Sequence, residues 1–189
     1  MSRSYRIRVR DSLRRILRAK DHVGTQLELL PILPPEAMAE LLAEQLLARG
    51  FEQDGDVLRR EQNGVVVRVD LADGTVTISL EEDEHLTLER ARDGQVFGES
   101  RGEADAATDK IRKDLARELS KEAQEHQAQL QQRVTERLEG ELADLQRELD
   151  QTANRVTAEA LKRKAAQLGN IKQVTDDAET GELTIVVEL

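Results

Sequence analysis

The sequence predicts an α+β protein with a small antiparallel β-meander and one packed helix, a long coiled-coil-like helical arm, and a C-terminal β-hairpin. Three evenly spaced turns containing Gly predict the sheet, and a proline-free charged stretch with one apolar stripe predicts the arm. The predicted boundaries are residues 1–91 for the head, 92–103 for a linker, 104–168 for the arm and 169–189 for the hairpin. We expect the hairpin to join the sheet of the head.

The N-terminal segment predicts a half-buried strand with a basic face. Within residues 5–10, apolar side chains alternate with Arg6, Arg8 and Arg10, so that the arginines share one face. Residues 1–20 contain eight Arg or Lys and one Asp, whereas the whole chain has a net charge of −10. The basic face predicts a binding surface for an acidic partner. An equally good interpretation is an edge strand whose arginines discourage aggregation between sheets.

The segment that follows permits two interpretations. Residues 13–17 have apolar side chains at a helix-like spacing, but a second strand through residues 14–19 also fits. Residues 26–33 predict a strand that ends at Pro31, because proline lacks the N–H that a strand ladder needs.

A helix and a β-meander come next. Residues 35–49 predict a helix, because Pro35 stands in its first turn and Gly50 follows its end. Three turns that supply positive φ values then predict hairpins. These turns are Asp54-Gly55, Asn63-Gly64 and Asp73-Gly74. Residues 85–91 predict one further strand.

Residues 104–168 predict the helical arm. Apolar residues recur along one face at steps of three, four and seven, which is typical of a coiled coil or a helical hairpin. Gly140 and residues 151–154 are the two candidate breaks if the arm is a hairpin. A stripe of this length must pack on a second copy, on the head or on itself. We predict helix–helix assembly and a homo-oligomer through the central part of the stripe, which consists of Leu130, Val134, Leu138, Leu142, Leu145 and Leu149.

Composition narrows the class of protein. Charged residues make up 35% of the chain and aromatic residues 2%, a combination that fits a long exposed helix and a modest core. The chain has no cysteine, which excludes disulfides and thiolate metal ligands. No apolar run approaches the roughly 18 residues of a membrane-spanning helix. We therefore expect a cytoplasmic protein without membrane contact.

The sequence predicts no catalytic, cofactor-binding or metal-binding residue, and we expect that the protein is not an enzyme. The three histidines lie far apart, and neither a phosphate-binding glycine loop nor a nucleophile elbow occurs. The acidic run at residues 81–84 fits a solvated turn, because consecutive carboxylates point in different directions. Nucleic-acid binding is disfavoured by the acidic net charge and the lack of interleaved aromatic residues. A nucleic-acid-binding module that uses the basic strand remains the alternative.

Two segments of the head resemble a known family. Residues 26–44 contain Leu-Leu-Pro-Ile-Leu-Pro-Pro, and residues 49–60 contain Arg-Gly-Phe-Glu-Gln-Asp-Gly-Asp. Together they resemble accessory proteins of bacterial FtsH ternary systems, over about residues 4–80. These systems are gene sets built around an AAA+ ATPase, a von Willebrand A-type protein and an FtsH-like component, and the resemblance implies that the chain belongs to such a set. It implies an adaptor or regulatory subunit for an ATP-driven machine, and it assigns no functional residue.

Overall fold

The computed structural model describes residues 3–98, 101–177 and 182–188 of the chain. Within these residues it contains seven strands and two helices. In chain order they are β1 (Arg3–Gln26), α1 (Pro35–Leu47), β2 (Glu52–Asp54), β3 (Val57–Gln62), β4 (Val65–Asp70), β5 (Thr75–Gly98), α2 (Arg101–Leu168), β6 (Asn170–Asp177) and β7 (Glu182–Glu188). The predicted α+β class is confirmed.

Five strands form one sheet in the order β1-β5-β4-β3-β2. Strands β2 to β5 are a meander, in which each strand pairs antiparallel with the next one. Asn63 and Gly64 both have positive φ, as do Gly55 and Gly74, so the three predicted turns are confirmed. Alternate residues of β4 and β5 are buried and form the core face of the meander, namely Val65, Val67, Val69, Val76, Ile78 and Leu80.

The predicted short helix is confirmed as α1. Pro35 lies at its first turn, and Gly50 follows its end with a φ of 82°. One face of α1 is buried through Met38, Leu41, Leu42 and Leu46. The burial of four side chains at helical spacing attaches this helix to the core.

Strand β1 is longer than the sequence predicted. Residues 13–17 belong to the strand, so their helix-like spacing was misleading and the alternative of a strand was right. The strand predicted over residues 26–33 is wrong, because β1 ends at Gln26 and residues 27–34 have no regular secondary structure. Pro31, Pro34 and Pro35 lack the N–H that a ladder needs, which disfavours a strand through residues 31–35.

Strand β5 is also longer than predicted, and the linker predicted at residues 92–103 is wrong. The strand continues to Gly98, and α2 begins at Arg101. Glycines and charged residues suggested a linker here. However, Arg92 pairs with Glu118 of α2 at 2.7 Å, so its charge is neutralised by a residue that is distant in the sequence.

Helix α2 is one continuous element of 68 residues. Neither Gly140 nor residues 151–154 interrupt it, so the alternative of a helical hairpin is wrong. Most side chains at the predicted stripe positions are buried within the single chain. The most deeply buried are Leu115, Leu119, Leu130, Val134, Leu138 and Val156.

The C-terminal hairpin is confirmed, but its predicted attachment to the main sheet is wrong. Among the described residues, strands β6 and β7 pair with each other in a separate two-stranded sheet. The pairing satisfies the inner backbone groups of the two strands. Ile171, Val174 and Val186 consequently stay exposed.

The described residues divide into two compact units. Unit 1 contains residues 1–21 and 81–136, and unit 2 contains residues 22–80 and 137–189. Unit 1 therefore includes most of β1, the later part of β5 and the first half of α2. Unit 2 includes α1, the meander, the second half of α2 and the hairpin.

Candidate functional site

In unit 1, β1 and β5 form a two-stranded ribbon with one side toward α2. Arg90 of the ribbon pairs with Glu122 of α2 at 2.8 Å, on the same side as the pair between Arg92 and Glu118. The apolar residues on this side that are buried include Val9, Leu17, Ala19 and Leu86. Because side chains alternate along a strand, the other side of the ribbon presents the intervening residues to solvent.

Three ion pairs cross the solvent-facing side of the ribbon. They are Arg8–Asp93 at 3.2 Å, Arg18–Asp83 at 3.5 Å and Lys20–Glu81 at 3.9 Å. From the first pair to the second, the residue number rises by ten along β1, from Arg8 to Arg18, and falls by ten along β5, from Asp93 to Asp83. The two strands therefore run antiparallel in an unbroken register. The ion pairs therefore identify the residue of β5 that lies opposite each residue of β1.

Three arginines on this side lie opposite residues without a negative charge. The register places Arg10 opposite Ala91 and Arg14 opposite Thr87. Arg6 precedes Arg8 by two residues on the same side, and the same register places it opposite Gln95. Among the described residues, none of these three guanidinium groups has an ion pair. We refer to the exposed side chains of Arg6, Arg8, Arg10 and Arg14 as the arginine face.

A shallow groove of about 570 Å³ adjoins Arg10 on the arginine face. Arg8, Ser12, Glu89 and Ala91 also line it. Ala91 has the smallest side chain of the set, which leaves open space beside the Arg10 guanidinium. The groove thus offers a free cation and the Ser12 hydroxyl to a polar ligand group.

The prediction for the N-terminal arginines is confirmed as far as their position is concerned. Arg6, Arg8 and Arg10 are all exposed and on one side of the ribbon. Sequence reasoning did not find the partner of Arg8, because Asp93 is distant in the chain and no local pattern indicates it. The role of the three arginines toward an acidic partner remains a prediction.

The six residues predicted for assembly lie along α2 and are covered within one chain. Leu130, Val134, Leu138, Leu145 and Leu149 are buried, and Leu142 is half-buried. A second copy of the chain is not needed to remove these side chains from water. The prediction that they mediate helix–helix assembly is therefore untested. Because one chain already buries them, we expect the concentration-dependent stability measurement in the Discussion to give the result of a single chain.

Sequence reasoning missed a charged cluster in unit 2. The Arg60 guanidinium donates two hydrogen bonds to the Glu148 carboxylate, at 2.6 and 2.7 Å, and one to the Arg49 carbonyl at 3.2 Å. Its carbon Cζ lies 4.6 Å from the centre of the Phe51 ring, a cation–π distance. Arg49 adds a second, longer ion pair with Glu148, at 3.6 Å.

The cluster lowers the pKa of Glu148. The hydrogen bonds from Arg60 are the largest cause, and the charges of Arg60 and Arg49 add to it, while partial burial acts in the opposite direction. These contacts join α2 to β3 and to the residues that follow α1. They stabilise unit 2 and do not form part of the arginine face. A signal in the sequence was absent because the partners lie 88 positions apart.

The described residues contain no group of three or more His, Cys, Asp or Glu side chains that could hold a metal ion. No helix in the same part of the chain is long and apolar enough to cross a membrane.

Comparison with known proteins gives the family of the chain. Neither the curated proteins nor the solved structures include a match. The sequence profile of the family described as FtsH ternary system domain X5 matches residues 1–189, and it therefore extends the predicted resemblance from the head to the arm and the hairpin. The chain belongs to the FtsH ternary system domain X5 family.

Proposed function

We propose that the chain is a non-enzymatic adaptor subunit of an FtsH ternary system and that it binds an acidic segment of a protein partner through the arginine face. Membership of the family supports an accessory role within such a system. The partner class follows from the charges on the ribbon. An adaptor needs side chains that its own fold does not use, and three of the four arginines of the arginine face meet this condition.

The observation that carries this proposal is the set of arginines without a counterion. On the same side of the ribbon, Arg8, Arg18 and Lys20 already have acidic partners in the chain. Arg6, Arg10 and Arg14 have none among the described residues. Carboxylates from a partner would form hydrogen bonds with these guanidinium groups, and bidentate geometry would favour Arg over Lys in this role.

The distribution of acids on the ribbon favours a protein partner over a nucleic acid. Glu81, Asp83, Glu89 and Asp93 lie on the same side as the arginines. A phosphate backbone carries closely spaced charges and would meet these carboxylates as well as the arginines. A peptide with a few acidic residues can place its charges beside Arg6, Arg10 and Arg14 alone.

A charge-reversal experiment tests the proposal. The double variant Arg6→Glu plus Arg10→Glu should lose binding to the AAA+ ATPase or the von Willebrand A-type protein of the same gene set, by about tenfold or more. Binding is measured by titration calorimetry with purified proteins at low and moderate salt. Loss of the electrostatic attraction should also flatten the salt dependence.

The matched control reverses two charges elsewhere in unit 1. Arg112 and Arg117 are exposed on α2 and form only local ion pairs, with Asp109 and Asp114. Arg112→Glu plus Arg117→Glu changes the net charge by the same amount and should leave binding within about twofold of the parent. Equal losses in both double variants would contradict a specific role for the arginine face. Tight binding of single-stranded RNA, lost only in Arg6→Glu plus Arg10→Glu, would favour the nucleic-acid function instead.

A further inference from the structure

Strand β1 is the edge strand of the five-stranded sheet, with β5 on one side and no strand on the other among the described residues. An edge strand has a row of backbone N–H and C=O groups that no ladder satisfies. In this protein the edge of β1 has two parts, which differ in whether side chains of α2 form hydrogen bonds with these backbone groups.

The later part of the β1 edge is covered by side chains of α2. Gln127 donates a hydrogen bond from Nε2 to the Arg18 carbonyl at 2.7 Å, and Gln131 donates one to the Lys20 carbonyl at 3.1 Å. Four residues along a helix and two along a strand cover similar distances, about 6 Å and 7 Å, so the two amides match alternate carbonyls. These bonds show that Arg18 and Lys20 direct their backbone groups away from β5.

The orientation extends to the start of the strand, because the register is unbroken from Arg8 to Arg18. In an antiparallel ladder, a residue directs its N–H and C=O to the same neighbour, and the direction alternates along the strand. Even-numbered residues of β1 therefore face the free edge. Consistently, the Ser12 N–H bonds to the Asp11 carboxylate at 2.8 Å rather than to β5.

The early part of the edge, residues 4–10, has no such cover among the described residues. Its outward backbone groups belong to Ser4, Arg6, Arg8 and Arg10, so the same residues provide free backbone partners and the guanidinium groups of the arginine face. The intervening Tyr5 and Ile7 are only half-buried, on the side of the ribbon that carries the apolar residues. An added strand would cover them further.

We propose that residues 4–10 of β1 receive an extended strand from an acidic protein partner, which adds to the sheet by main-chain hydrogen bonds. Alternate residues of that strand are acidic and lie on the arginine face, while the intervening residues are apolar and lie beside Tyr5 and Ile7. This inference rests on the proposed function, and it specifies the conformation and the alternating pattern of the partner. Directly opposite side chains on neighbouring strands lie about 5 Å apart, within reach of Arg–carboxylate pairs.

The charges favour a different protein over a second copy of the chain. Two β1 strands side by side would bring arginines together, which is unfavourable. On the solvent-facing side of β5, Glu81, Asp83 and Asp93 already have cationic partners in the chain. Arg6, Arg10 and Arg14 have no ion-pair partner among the described residues, so carboxylates of a different protein can pair with them.

Backbone methylation of a model peptide tests strand addition directly. The probe is a fluorescent peptide of about seven alternating glutamates and valines, which matches the length of the open edge. One derivative is methylated on the glutamate nitrogens and another on the valine nitrogens. In an added strand only one of these two sets faces β1, so exactly one derivative should lose affinity, by about tenfold or more, in fluorescence polarisation with the full chain.

A second measurement locates the new hydrogen bonds. Addition of the unmodified peptide should slow hydrogen exchange at the amides of Arg6, Arg8 and Arg10, and leave Ile7 and Val9, which pair with β5, unchanged. If both derivatives bind as well as the parent peptide, or both lose affinity equally, strand addition is wrong while the acidic-partner function stands. If no acidic peptide binds, or if binding is accompanied by dimerisation through β1, both proposals are wrong.

Discussion

Arg60 combines three interactions in one side chain, and its contribution therefore depends on guanidinium geometry as well as on charge. It bonds to both oxygens of Glu148, reaches the Arg49 carbonyl and lies over the Phe51 ring. The ion pair is mostly shielded from solvent, with side-chain exposures of 14% and 27%. A pair of this kind is costly to break because the remaining charge keeps its burial penalty.

Arg60→Ala should destabilise the protein by about 2 kcal/mol, because Glu148 keeps only its longer contact with Arg49. Arg60→Lys should lose roughly half of that amount, since an ammonium group retains the charge but cannot form the bidentate bond. The measurement is urea unfolding followed by circular dichroism. Equal stability of Arg60→Ala and the parent would show that the cluster contributes nothing.

The lowered pKa of Glu148 makes this contribution depend on pH. A carboxylate with a folded-state pKa below its unfolded-state value stabilises the fold above the unfolded pKa, and the stabilisation disappears as the pH falls through the folded pKa. The parent should therefore exceed Glu148→Gln in unfolding free energy at neutral pH. The difference should shrink as the pH falls below the unfolded-state pKa of a glutamate, about 4.3. A constant difference over that window in urea titrations would contradict the assignment.

At the scale of elements, the sequence predicted what short-range chemistry determines. The turn at Asn63-Gly64 needs positive φ at both positions, and this dipeptide adopts it readily. The full length of β5 could not be predicted, because the partners of Arg90 and Arg92 are glutamates of α2 that are distant in the sequence. The shared face of Arg6, Arg8 and Arg10 was predictable by alternation. Which arginines have partners in the chain required the register of β1 against β5.

Gly74 is a position where the turn and a neighbouring segment both restrict the side chain. Its φ is +73°, and a Cβ atom there would lie 3.1 Å from the Leu27 carbonyl oxygen. The Leu27 N–H also bonds to the Gly74 carbonyl at 2.9 Å, which fixes the chain just after β1. A side chain added at Gly74 would therefore contact the backbone of Leu27. Leu27 cannot move away without weakening its hydrogen bond to Gly74.

Gly74→Ala should cost about 2 kcal/mol, and Gly55→Ala about half as much. Gly55 is the matched control because it has a similar φ, +64°, but no atom within 4 Å of the added Cβ. The left-handed backbone accounts for the loss common to both variants, and the contact with Leu27 accounts for the excess. Thermal unfolding of both variants measures the difference. Equal losses would show that the segment after β1 yields to the added methyl group.

At the scale of the whole molecule, the apolar stripe of α2 decides whether stability resides in one chain or in an oligomer. Sequence periodicity predicted the stripe but could not distinguish a second copy from the protein's own sheet as its cover. Leu138 is 1% exposed within a single chain, which makes the chain itself sufficient to bury it. Stability that resides in one chain does not depend on protein concentration, whereas stability that resides in an interface does.

Leu138→Ala should destabilise the protein by about 3 kcal/mol, because it leaves a cavity in a packed site. Leu161→Ala on the same helix is the control. Its side chain is 39% exposed, and the loss should stay below about 1 kcal/mol. Thermal unfolding over a hundredfold range of protein concentration should give the same Tm for each protein, since Leu138 packs within its own chain. A Tm that rises with concentration in the parent, and no longer does so in Leu138→Ala, would instead establish the stripe as an interface between copies.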